Sequence, residues 1–111
     1  MPNLRESTTA VVARGEWFRD GDATEPYEAG WAAETVVFVL GMDEGSGGAF
    51  SIQISPDGMN WVNEGSEITL PSKGEVAFAR VGHFGNWIRV IATAISDGGQ
   101  RRCHVTINCK G

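Results

Sequence analysis

The sequence predicts an all-β fold: an antiparallel β-sandwich of jelly-roll type, with about seven or eight short strands. Three observations lead there. Stretches of alternating apolar and polar residues recur about every 8–12 residues. Most of the 15 glycines fall between those stretches, where turns are needed. No stretch repeats apolar residues with the helical period for any useful length.

The clearest element is Ala49–Trp61, AFSIQISPDGMNW. Phe50, Ile52 and Ile54 alternate with Ser51, Gln53 and Ser55, the period of a half-buried strand. Pro56 presets φ at the first corner of a type I turn, Asp57 suits the second, and Gly58 can take the positive φ of a following bulge. Asn60, Trp61 and Val62 then open the returning strand, with Trp61 as the large anchor beside the turn.

The other elements follow in chain order. Ser7–Arg14 reads as a first strand, interrupted by Gly15 and followed by Trp17 and Phe18. Asp20-Gly21-Asp22 is a turn, and the polar run to Tyr27 contains Pro26, which fits a loop or a weak edge strand. Small residues around Trp31 fit a short helical turn. Glu34–Leu40 (ETVVFVL) is apolar on both faces, Val36, Phe38 and Leu40 on one and Val37 and Val39 on the other. Such a strand is central, or has one face at an interface.

Gly41–Gly48 is a loop. After the hairpin come a short strand at Glu67–Leu70, a turn at Pro71–Gly74, and Glu75–Val81 with Val76 and Phe78 expected to point inward. Gly82–Gly85 is a break. Trp87–Ile95 places Ile88, Val90, Ala92 and Ala94 on one face and Trp87, Arg89, Ile91, Thr93 and Ile95 on the other. Asp97-Gly98-Gly99 is a hairpin turn, and Arg101–Lys110 closes the chain.

At 111 residues the chain is read as one domain, 1–111, with residues 1–6 as a flexible or partner-docking arm. The net charge of −5 and only nine basic residues argue against a nucleic-acid partner. No apolar run approaches the roughly 20 residues of a membrane span, and MPNLREST lacks the pattern of a secretory signal. Assembly in the cytoplasm is the expectation. Cys103 and Cys109 share the parity of Val105 and Ile107; on one straight strand they lie about 20 Å apart, too far for a disulfide. They read as two buried thiols.

No chemistry-bearing constellation stands out. There is no Gly-x-Ser-x-Gly elbow, and His83 and His104 have no acid at a recognisable spacing. Asp20, Asp22, Glu25 and Glu28 are acidic neighbours, but the full EF-hand loop is absent, and a solvated turn accounts for them better than calcium. No enzymatic activity, cofactor or metal is expected. Trp17, Trp31, Trp61 and Trp87 read first as core or interface packing, and alternatively as rings for stacking on a carbohydrate.

SIQISPDGMNWV and FGNWIRVIATAISDGG resemble the second half of discoidin-like, galactose-binding jelly rolls, through Ser55, Asp57, Gly58 and Trp61, then Trp87, Arg89 and Val90. The whole chain is more similar to small structural proteins of tailed bacteriophages. Val36, Phe38 and Leu40; Phe50, Ile52, Gln53, Asp57, Gly58 and Trp61; and Trp87, Arg89 and Val90 carry that likeness. It implies a virion protein of the capsid surface or tail, made in the host cytoplasm. Its partners would be copies of itself, with trimeric symmetry as one option, or other virion proteins. By strand parity, Val37, Val39, Trp87, Ile91 and Ile95 are the interface candidates.

Overall fold

A computed structural model describes residues 7–82, 86–96 and 98–111. The strands are β1 (Ser7–Phe18), β2 (Tyr27–Glu28), β3 (Glu34–Gly41), β4 (Ala49–Ser55), β5 (Val62–Thr69), β6 (Val76–Val81), β7 (Trp87–Thr93) and β8 (Arg101–Lys110). They form two four-stranded antiparallel sheets, ordered β1-β8-β3-β6 and β2-β7-β4-β5. Apart from the β4–β5 hairpin, every connection crosses from one sheet to the other. The result is a jelly-roll sandwich.

The core is the seam between the sheets. Val37, Val39, Cys103, Val105, Ile107 and Cys109 face it from the first sheet, and Phe50, Ile52, Ile88, Val90 and Ala92 from the second. Phe18, at the end of β1, meets Phe50 edge-to-face with ring centroids 4.9 Å apart and so ties the layers together.

Several strands depart from plain alternation, each for a local reason. Gly15 does not end β1. It takes φ +62° at one of two register shifts against β8, and the strand runs on to Phe18. Asn60–Val62 and Glu67–Leu70 are not separate pieces: β5 is a single strand. Between the pairs Gln53–Asn63 and Ser51–Glu67 it carries an irregularity in which Gly65 sits at φ +116°. Ala29–Ala33 is a turn and not a helical one, with the Ala32 N–H donating to the Ala29 carbonyl. Val76 and Phe78 point outward, at 60% and 51% exposure, because β6 pairs with β3 in the register that sets Phe78 against Phe38. The arm at 1–6, the break at 83–85 with its His83, and Asp97 of the expected turn lie outside the described residues.

One end of the sandwich is closed by a buried ion pair. The side chains of Arg101 and Asp43 are 3% and 8% exposed and meet at 3.1 Å. Arg101 also donates from Nη1 to the Gly47 carbonyl and from Nη2 to the Pro71 carbonyl. Asp43 accepts from the Arg102 and Gly45 backbone N–H groups. The pair therefore pins the 42–48 loop and the start of the β5–β6 connection to the start of β8. Burial alone would raise the Asp43 pKa. The Arg101 hydrogen bond, the Arg102 N–H, the Arg101 charge and the Gly45 N–H outweigh it and hold the carboxyl below its ordinary value.

Both cysteines are free and fully buried. Burial pushes the Cys103 thiol up to about 11, only partly offset by the Arg101 charge. Cys109 is also raised by burial, partly offset by its hydrogen bond with the Thr35 hydroxyl.

Two outcomes follow. In native buffer neither thiol should react with a disulfide reagent such as DTNB, and both should react once denaturant unfolds the chain. Asp43→Asn, which leaves Arg101 buried without its counter-charge, should cost about 3–5 kcal/mol in urea unfolding near neutral pH. Because the folded-state pKa of Asp43 is depressed, its contribution is present above the unfolded carboxyl value of about 4 and is lost as pH falls through the folded value. The gap between Asp43→Asn and wild type should therefore shrink with acidification.

Candidate functional site

Alternation sends half of each strand outward, so the sandwich has two outer faces. On the β1-β8-β3-β6 sheet that face is unusually apolar. β3 contributes Val36, Phe38 and Leu40, all half-buried. β6 sets Arg80, Phe78 and Val76 directly opposite them. β8 sets Asn108, Thr106 and His104 on the other side, and Val11 of β1 faces Thr106. One row, Val11–Thr106–Phe38–Phe78, therefore crosses all four strands in register.

The Phe38 and Phe78 rings lie with centroids 6.0 Å apart, and the Arg80 guanidinium covers Phe78 at 5.1 Å. Val11 is 40% exposed, and Trp17 on the same face is 51% exposed. Asn108 Oδ1, also on this face, is buried with no hydrogen-bond partner among the described residues.

The five interface candidates divide. Val37 and Val39 are 0% exposed and belong to the core. Parity groups them together, and that group faces inward because Val37 pairs with Ile107 and Val39 with Val105 of β8. The outward apolar group of β3 is Val36, Phe38 and Leu40. Ile95 is also buried: β7 ends at Thr93, Ala94 takes φ +57°, and alternation does not carry past it. The Ile95 side chain then packs against Gly48, while its N–H donates to Asp20 Oδ1. Trp87 and Ile91 are half-exposed on the outer face of the other sheet, away from the apolar row.

The hairpin residues build the end of that second face. Ser55 Oγ accepts from the Asp57 and Gly58 N–H groups, and Asp57 Oδ1 accepts from the Met59 and Asn60 N–H groups. The Asn60 and Met59 N–H groups, the Asn60 amide and the Ser55 hydroxyl hold the Asp57 carboxyl far below its usual value. Because Asp57 engages both N–H groups, the return strand starts at Val62 and not at Asn60. Gly58 takes φ +80°, and a Cβ there would lie 3.3 Å from Trp87 Cε2. Trp61 folds back over the sheet, where the Arg89 guanidinium stacks on its ring at 4.3 Å.

None of the four tryptophans belongs to the buried core. In the acidic turn, Asp22 accepts from the Arg19 N–H and Asp20 from the Ile95 N–H, so these carboxylates cap backbone. No group of three or more His, Cys, Asp or Glu able to hold a metal ion occurs among the described residues. His104 stands half-buried beside Leu40.

No protein-family model matches the chain, and no curated protein matches it in sequence. Solved structures do match in fold. The SPBc2 prophage-derived protein YomS superposes with a TM-score of 0.68 at 11% identity, covering 100% of this chain and 98% of that one. The PBSX exported protein XepA superposes with a TM-score of 0.53 at 13% identity; the match takes in 97% of this chain but 37% of XepA. The chain thus shares its fold with prophage proteins.

Gly58→Ala should destabilise the protein by roughly 1–2 kcal/mol, through a positive φ forced on a residue with a Cβ and contact with Trp87. A lowered urea midpoint with an unchanged slope would show it.

Proposed function

We propose that the protein is a non-enzymatic structural component of a phage-like virion, a capsid-surface or tail protein that works through subunit–subunit contacts. The observation that carries this is the outer face of the β1-β8-β3-β6 sheet, with Phe78 and Val76 more than half exposed in register with Phe38 and Leu40. Water is a poor neighbour for such a row, at about 25 cal/mol per Å² of apolar surface. A contact of standard size, roughly 800 Å² per partner, would cover it.

The charge pattern agrees. Arg80, Arg102, Lys110 and Glu34, which faces Lys110, lie around the row, the polar rim that surrounds an apolar interface centre. The shared fold with two proteins of prophage origin, one of them described as exported, supports a particle-associated or extracellular setting. The occupant of the face is a second copy of the chain or another virion protein, and symmetric self-association is the simpler arrangement.

Light scattering after size exclusion at tens of micromolar should give a mass above one chain, and Phe78→Asp should return the protein to monomer with its far-UV spectrum intact. A wild-type monomer that neither self-associates nor is found by mass spectrometry in particles from the source would refute the reading.

A further inference from the structure

The outer face of the β2-β7-β4-β5 sheet differs in kind from the apolar one. Arg89, Gln53 and Asn63 stand side by side on β7, β4 and β5. Arg89 Nε donates to Gln53 Oε1 at 2.8 Å, and Gln53 Nε2 donates to Asn63 Oδ1 at 3.1 Å. The direction of this chain is not arbitrary. Arginine can only donate, so the Gln53 oxygen must face it. The Gln53 amide NH₂ must then face Asn63, whose oxygen must accept. Each carbonyl in the row is engaged within it, and what projects outward is N–H.

Among the described residues no acceptor takes the Nη1 and Nη2 hydrogens of Arg89. The Asn63 NH₂ and the second Gln53 Nε2 hydrogen are likewise unengaged there. The strip is held in place, since Arg89 is fixed by Gln53 on one side and by the Trp61 ring on the other. It presents donors of set direction beside the half-buried Trp61 indole, one face of which Arg89 occupies. A ligand that matches it needs acceptor oxygens along an edge and an apolar C–H face, the two features of a pyranose.

The charges narrow the class. Arg89 is the one basic residue on the four strands of this sheet. Glu28 and Glu67 stand nearby, opposite Trp87 and Ser51. One cation among acids favours a ligand with one carboxylate at that point, which guanidinium Nη groups can take in parallel, over a dense polyanion.

We propose that this face binds a saccharide bearing a carboxylate, a hexuronate-type sugar. Arg89 takes the carboxylate, the Gln53 and Asn63 amide hydrogens take ring and hydroxyl oxygens, and Trp61 packs on the ring. The site lies on the opposite side of the sandwich from the apolar row and does not depend on it.

The test titrates the full chain with trigalacturonate and, in parallel, with neutral maltotriose, following tryptophan fluorescence and calorimetry. Trigalacturonate should bind saturably, with a dissociation constant at or below about 1 mM. Maltotriose should bind at least about tenfold more weakly, as should trigalacturonate to Asn63→Asp and Arg89→Gln, since each change removes a donor or places an acceptor against an acceptor. Should Arg89→Gln fail to fold, Asn63→Asp, at an exposed position, decides the matter. No saturable binding of trigalacturonate, equal binding of maltotriose, or unchanged affinity in Asn63→Asp would each overturn the proposal.

Discussion

The pairing of β3 with β8 decides most of what this molecule presents to its surroundings. β8 has one unambiguous face. Cys103, Val105, Ile107 and Cys109 are all 0% exposed, while Arg102, His104, Thr106, Asn108 and Lys110 point the other way. β3 has no such preference, being apolar on both sides. Once Val37 and Val39 lie beside Ile107 and Val105, the pleat sends Val36, Phe38 and Leu40 outward. β6 then pairs in a register that adds Phe78 and Val76 to the same side. A two-layer body can bury one face of each sheet, and β3 and β6 carry more apolar surface than that one face holds.

How far the sequence shows this depends on how many signals agree at each residue. Where alternation, turn chemistry and a polar opposite face coincide, the expectation matches the structure. Examples are Phe50 and Ile52 on β4, Ile88 and Val90 on β7, and Cys103, Val105, Ile107 and Cys109 on β8. The all-β sandwich and the positive φ of Gly58 were legible in the same way. For β3 and β6, parity gives two groups of residues but not which one is inward, because that choice belongs to the neighbouring strand. Val37 and Val39, expected at an interface, are buried for this reason, and Val76 and Phe78, expected in the core, are exposed. Ile95 shows a different limit: one residue at positive φ, Ala94, cancels the alternation that precedes it. The Arg101–Asp43 pair and the Arg89–Gln53–Asn63 row were not legible at all. Their members lie 58, 36 and 10 residues apart, and only the folded register brings them together.

The two outer faces have opposite characters. One is an apolar row with a charged rim of both signs, suited to a protein surface. The other is a line of outward N–H groups beside an indole, suited to oxygen atoms. An assembly that covers the first leaves the second facing solvent, so lateral packing and ligand contact need not compete. The buried ion pair at one end and the Ser55–Asp57 turn at the other hold the connections that frame both faces, the first by tying loop 42–48 to β8, the second by seating Gly58 against Trp87.

The central claim is that the exposed apolar row is covered by another subunit. Hydroxyl-radical footprinting across a concentration series tests it most directly, with Phe78 and Met59 read in the same sample. Met59, 78% exposed in the β4–β5 turn, serves as an internal reference away from the row. The account predicts that labelling of Phe78 falls as the protein is concentrated while labelling of Met59 stays constant. Labelling of Phe78 that stays proportional to that of Met59 at every concentration, and on intact particles, would contradict it.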